Sequence, residues 1–193
     1  MEQLAPTFWQ QKYANAETPW DIGYASTPIV QYFQNMDNKE ASILIPGCGN
    51  AYEAKALAAL GFTNITVVDI VPEVIEKFSA ECSQHGWNVK AVCADFFTLT
   101  QTFDCIVEQT FFCALLPTQR LSYVQKMRQL LRSYGVLVGV LFNREFDKAG
   151  PPFGGSVAEY EPLFKTYFSS VQFSPCTNSI KPRMGAEVWM ECS

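Results

Sequence analysis

Ile43-Leu44-Ile45-Pro46-Gly47-Cys48-Gly49-Asn50 and, further on, Ile65-Thr66-Val67-Val68-Asp69 decide the reading of this chain. The first is an apolar strand running into a tight glycine turn; the second is a strand closed by a carboxylate. Between them Ala51 to Leu60 reads as a helix, ended by Gly61 in the left-handed position that favours glycine. Together they form a βαβ unit of Rossmann type. Asp69 stands about twenty positions beyond the glycine turn, where such a unit places the side chain that accepts both ribose hydroxyl hydrogens. A dinucleotide site needs a third glycine so that a helix N-terminus can approach a pyrophosphate, and here Tyr52 holds that position and would fill the space. The turn therefore points to an adenosyl cofactor without phosphates, of which S-adenosylmethionine is the common one. An NAD(P)-linked oxidoreductase is the rival enzyme class; a domain of this shape that binds without turnover is the rival outside enzymology.

Outward from this unit, strand and helix signals alternate. Pro72 opens a helix that stops at Gly86; Val89 to Ala94 and Phe103 to Glu108 read as the third and fourth strands. Thr118 to Arg132 has the apolar spacing of a helix lying on a sheet, and Val136 to Phe142 is an uninterrupted apolar strand, as expected when both sheet faces are covered. After a Gly/Pro loop from Gly150 to Gly155 come a helix near Glu161 to Tyr167, a strand near Val171 to Phe173, and the alternating segment Ala186 to Cys192. That ending suits an antiparallel hairpin added to a parallel sheet. The expected fold is α/β: a seven-stranded, mostly parallel sheet of the class I methyltransferase (Rossmann-like) kind, with helices on both faces and an N-terminal helical lid. The lid is residues 1–36, an aromatic-rich arm from Phe8-Trp9 to Trp20 followed by a helix that opens at Thr27-Pro28.

The 193 residues fit one such domain. The longest apolar stretch, Val136 to Phe142, is far below the roughly 18 residues of a membrane span, and Met1-Glu2-Gln3 lacks the basic start of a signal peptide, so a cytoplasmic protein is expected. A net charge of −5 without any Lys/Arg run argues against nucleic acid. Seven cysteines without a C-x-x-C pair, beside a single histidine, argue against a metal site and suggest reduced, mainly buried thiols.

Sites of this fold are built from strand ends. Asp69 ends the second strand, Asp95-Phe96 follows the third and Glu108 ends the fourth. Asp95 with its aromatic neighbour has the arrangement that holds adenine, the acid or its backbone bonding the exocyclic amine while Phe96 covers the ring. Where amino-group methyltransferases carry an Asp/Asn-Pro-Pro-aromatic motif, this chain has Glu108-Gln109-Thr110-Phe111. Glu108 is expected instead to face the cofactor's ammonium or sulfonium. Trp9 and Tyr13, four apart on one helical face, and Trp20 are expected to surround the sulfonium, although the same rings could simply seal the sheet edge. Arg183 is expected near the site mouth, where it could draw in an anionic acceptor or form an ordinary surface ion pair. Cys113 reads as a core filler and His85 as a solvated helix end.

These segments carry a resemblance. Trp9 to Tyr13, Thr18-Pro19-Trp20-Asp21-Ile22-Gly23, Pro46-Gly47-Cys48-Gly49, Val68-Asp69-Ile70, Phe111-Phe112-Cys113-Ala114, Gly150-Pro151-Pro152-Phe153 and Ile180 to Glu187 are similar to the thiopurine S-methyltransferase superfamily, nearest its thiol, thiocyanate and halide methyltransferases. The resemblance implies that Trp9, Tyr13, Trp20, Gly47, Asp69, Asp95, Phe96 and Glu108, with Gly49 and Ile70 beside them, line the cofactor pocket. It also implies that Phe142 lies near a small-molecule acceptor, which Trp20 and Arg183 are expected to meet as well; an in-line methyl transfer needs no dedicated base. Three departures stand out: Tyr13 where the family has Trp, Glu108 where close relatives have Asp, and Phe142 where relatives that act on small anions carry a tyrosine. The implied activity is S-adenosylmethionine-dependent methyl transfer to a soft nucleophile: a thiol, hydrosulfide, thiocyanate or halide.

Overall fold

The computed structural model describes residues 4–193; Met1 to Gln3, read above for a signal peptide, lie outside the described residues. Seven strands, β1 (Ile43–Pro46), β2 (Ile65–Asp69), β3 (Val89–Cys93), β4 (Phe103–Gln109), β5 (Leu131–Phe142), β6 (Val171–Pro175) and β7 (Glu187–Cys192), form one sheet. Its order is β3-β2-β1-β4-β5-β7-β6. β1 to β5 pair in parallel, and β7 runs antiparallel between β5 and β6, the hairpin expected at the end of the chain.

The central strands are apolar on both sides because both sides are covered. Leu44, Val68, Ile106, Leu137 and Leu141 face one layer, made by Tyr123, Val124 and Met127 of α5 (Arg120–Gln129) and Tyr160 and Phe164 of α6 (Val157–Phe164). Their alternate neighbours Ile43, Ile45, Val67, Cys105, Val107 and Val138 face the other. That layer holds Ile29 and Phe33 of α2 (Thr27–Gln34), Leu57 of α3 (Tyr52–Ala59) and Phe78 of α4 (Pro72–His85). Each such side chain contributes about 1.5–3 kcal/mol on burial, which fixes the register of every strand. The remaining helix, α1 (Pro6–Ala14), buries no residue.

Two expected boundaries move. The helix expected over Thr118 to Arg132 ends at Gln129, because Leu130 and Leu131 leave its stripe to pack at the foot of the sheet. Leu131 pairs with Phe103, and regular pairing resumes at Val136 opposite Cys105. The helix expected near Glu161 to Tyr167 is α6, four residues earlier. The spacing of buried Tyr160 and Phe164 sets its face, and Pro162 sits inside the helix. The cysteines are all free and, apart from Cys93, buried. No helix among the described residues is long and apolar enough to cross a membrane.

Candidate functional site

Strand order reverses between β1 and β4, the switch point where open α/β sheets bind ligands beyond the carboxyl ends of their strands. A cleft of about 160 Å³ lies there. Another cavity, of about 10 Å³, has room for one water at most.

Its floor is the turn after β1. Gly47 and Gly49 have φ of +59° and +51°, and a Cβ on Gly47 would come within 2.3 Å of the Phe111 ring, so both conformation and space require glycine there. The turn is tied to β2 by Asp69, whose Oδ2 accepts the Gly49 N–H and Oδ1 the Val71 N–H, each at 3.0 Å. Burial raises the Asp69 carboxyl above its ordinary value, opposed by those N–H donors. Each oxygen keeps a lone pair for a ligand. After β3, Asp95 Oδ1 accepts the Phe97 N–H at 2.9 Å, and the Phe96 ring packs on Phe111 with centroids 5.2 Å apart.

The roof is aromatic. Trp9 and Tyr13 of α1 meet Trp20 edge to face, with centroids 5.6 and 5.9 Å apart. Asp21, next in the chain, accepts from the Gly23 N–H, the Asn50 amide and the Tyr52 hydroxyl at 2.8, 2.5 and 3.4 Å. The arm is thereby fastened to the glycine turn. Trp9, Tyr13, Trp20, Gly47, Gly49, Asp69, Ile70, Asp95 and Phe96, all expected in one pocket, line this cleft together.

Three expected residues do not line it. Glu108 is fully buried: its Oε1 accepts the Phe111 and Phe112 N–H groups at 2.8 and 2.9 Å, and its Oε2 the Tyr123 hydroxyl at 2.5 Å. Burial pushes its carboxyl up to about 7 against those bonds. It holds the turn after β4 from beneath, where α5 supplies Tyr123, and so does not face the cleft. Phe142, expected to meet the acceptor, lines a water-sized cavity with Glu108, Thr110, Cys113 and Glu187 and not the cleft itself. Arg183 is only 8% exposed and not at a mouth. It donates to the Trp20 carbonyl at 2.8 Å and pairs with Glu187 at 3.4 Å, with its guanidinium 5.5 Å from the Phe142 ring centroid. These contacts tie the Trp20 carbonyl to Glu187.

Cys113 is buried as expected but also borders the cleft; burial pushes its thiol up to about 12, so it stays protonated and unreactive. His85 is exposed and stacks on Trp87. Asp21, Glu53 and Gln109 line the cleft without having been singled out. Asp21 had a signal in the Pro-Trp-Asp segment, and Gln109 in its place at a strand end. Glu53, which accepts the Ser26 N–H at 2.9 Å, had none. Among the described residues no cluster of His, Cys, Asp and Glu is arranged to hold a metal.

The sheet order, the glycine turn and the strand-end acids define a class I S-adenosylmethionine-dependent methyltransferase. The solved 1,6-didemethyltoxoflavin-N1-methyltransferase of Burkholderia thailandensis has the same fold, with a TM-score of 0.73 at 17% identity over 97% of this chain and 85% of that one. Within this class, the family model for thiopurine S-methyltransferase matches residues 4–189, and the chain belongs to that family. It is 29% identical to a probable thiol methyltransferase 2 of Arabidopsis thaliana and 30% identical to thiocyanate methyltransferase 1 of Brassica oleracea. Each match covers 93% of this chain and 81% of the relative.

Proposed function

We propose that this enzyme methylates a small neutral thiol. One observation carries the choice: among the described residues the cleft is lined by four carboxylates, Asp21, Glu53, Asp69 and Asp95, and by no Lys, Arg or His. A halide or thiocyanate would enter as an anion against that field, on a chain of net charge −5. A thiol enters uncharged. The lining also includes the apolar groups of Phe111, Cys113, Leu115, Pro151 and Pro152, which suit its carbon skeleton. The names of the plant relatives agree with a soft sulfur acceptor but do not choose between thiol and thiocyanate.

The cofactor fits the groups present. Asp69, already ordered by two backbone N–H donors, offers a lone pair on each oxygen to a ribose diol, and the second oxygen of Asp95 is open to the adenine amine while Phe96 lies against the base. Trp9, Tyr13 and Trp20 line the cleft with aromatic rings, whose faces attract a sulfur cation at up to about 2 kcal/mol when desolvated. When bound, S-adenosylmethionine supplies a methyl group on positively charged sulfur, open to in-line displacement. The residues of the chain align the two sulfurs and exclude water, effects worth about 7–11 kcal/mol when orientation is good. Asp21 is engaged by three donors that fasten the arm and Glu108 is walled off by Phe111 and Phe112, so neither is assigned as a base, and the thiol proton leaves to water. With an acceptor pKa near 8.5, kcat/KM should rise through neutral pH and level off near that value.

The test is methyl transfer from labelled cofactor to a panel of alkyl and aryl thiols, thiocyanate and iodide. Preference for a thiol supports the assignment; turnover of the anions alone removes it. Thermal shifts with S-adenosylhomocysteine and with NAD(H) test the cofactor half separately, and stabilisation by the dinucleotide alone would contradict it.

A further inference from the structure

Asp21 is held by a chain of side chains that starts outside the cleft. Lys77, exposed on α4, donates to the Asn50 Oδ1 at 3.2 Å, and the Asn50 amide donates in turn to the Asp21 Oδ2 at 2.5 Å. A lysine can only donate and a carboxylate can only accept, so the amide between them has one orientation that satisfies both. Turned over, it would set its oxygen against the carboxylate and its nitrogen against the ammonium. The chain is therefore directional, and each bond polarises the next. The backbone around Asn50 is fixed as well. Gly49 before it has φ of +51° and Ala51 after it +52°, a left-handed conformation that is unfavourable for alanine and persists only where the surroundings impose it.

What Asp21 carries is Trp20. Arg183, in the connection between β6 and β7, holds the Trp20 carbonyl at 2.8 Å, and Asn50 holds the carboxylate of the next residue. The segment is thus tied at two consecutive points, one from the end of the chain and one from the glycine turn. Trp20, Asp21 and Asn50 line the cleft, whereas Lys77 stands outside it. We propose that Asn50, oriented by Lys77, is a positioning residue for methyl transfer: by holding Asp21 it sets where the Trp20 ring stands over the cleft. Asn50 acts through Trp20 and exchanges no proton with the reactants. The effect on rate is large because a misplacement of about 1 Å caused far from the chemistry can cost about 100-fold. The assignment rests on the reading of the cleft as a methyl-transfer site.

An exchange of partners tests this, read as kcat and KM for one alkyl thiol with saturating S-adenosylmethionine and as tryptophan emission, in which Trp9 and Trp20 report on the arm. Asn50→Asp sets two carboxylates against each other and Asp21→Asn two amides. Each alone should lower kcat per folded molecule by about 10-fold or more and shift the emission to the red, since a hydrogen bond to a charged group is lost. Asp21→Asn together with Asn50→Asp exchanges donor and acceptor across the same contact and gives Lys77 a carboxylate to pair with, so kcat should return to within about 3-fold of the wild type. Lys77→Met, at an exposed helical position, frees the amide to turn over and should lower kcat by about 2- to 5-fold; it decides the matter if a variant in the cleft does not fold. Losses that multiply in the double variant, single variants that lower the melting temperature with kcat per folded molecule unchanged, or full kcat in Lys77→Met would each overturn the assignment. Failure of the wild type to methylate any thiol would instead remove the reading of the cleft on which it rests.

Discussion

The two halves of the cleft are built differently. Over β1, β2 and β3 the lining residues sit at the ends of consecutive strands, and the acid that orders the glycine turn lies on the next strand in the chain. Over β4 and β5 the lining comes from distant segments: the arm near Trp20, the turn after Gln109 and the Pro151-Pro152 loop. Two acids make the contrast concrete. Asp69 is the last residue of β2 and Glu108 the last but one of β4, and both accept two backbone N–H groups, yet Asp69 opens on the cleft and Glu108 is sealed beneath it by Tyr123. What separates the two is the partner that α5 brings under Glu108.

Removing each acid should separate these roles most strongly. Asp69→Ala should weaken S-adenosylhomocysteine by roughly 100-fold or more, since two charge-assisted hydrogen bonds at about 1.5–3 kcal/mol each are lost, while the fold persists. Calorimetry on the folded variant is the check, and unchanged affinity would erase the distinction between the halves. Glu108→Ala should do the reverse. Two N–H groups and the Tyr123 hydroxyl lose their partner in the core, so stability should fall by about 2–4 kcal/mol in urea unfolding, with ligand affinity per folded molecule little changed.

Glu108 also sets a pH dependence. Burial raises its carboxyl to about 7, so between the ordinary glutamate value and that pH the folded state binds a proton that the unfolded state has released. Stability therefore falls as pH rises through this window. Glu108→Gln should flatten the fall, which unfolding curves across the window would reveal.

The acceptor half should show smaller effects. Trp20→Ala is expected to lower kcat/KM by about 10-fold or more while costing less stability than the roughly 3–5 kcal/mol of a core tryptophan, because Trp20 is only half-buried and packs on α1 rather than on the sheet. A loss of that full size with normal activity per folded molecule would make it a core residue. Phe142→Tyr should change least. With Phe142 behind the cleft, the ratio of kcat/KM for a thiol to that for thiocyanate should stay within about 2-fold, and a shift of roughly 10-fold toward the anion would return this ring to the acceptor.

The same contrast explains what the sequence made legible. The turn, Asp69 and the pair Asp95-Phe96 could be read because their partners are close in the chain or at fixed Rossmann spacing, and the apolar periods gave the sheet its strands. Glu108 misled for a definite reason. Neighbours on a strand face opposite sides, but which of Glu108 and Gln109 meets the cleft depends on the helix beneath, and Tyr123 is visible only after α5 has docked. Arg183 could not be placed because the carbonyl it holds belongs to Trp20, 163 residues away.

The central claim, that a cationless cleft takes a neutral thiol, is met most directly by kcat/KM for one alkyl thiol and for thiocyanate, measured with saturating S-adenosylmethionine at low and at raised ionic strength. A higher value for the thiol, with added salt raising only the thiocyanate value as it screens the carboxylates, is the predicted result. Faster turnover of thiocyanate that declines with salt would mean that a positive field draws the acceptor in, and would contradict the account.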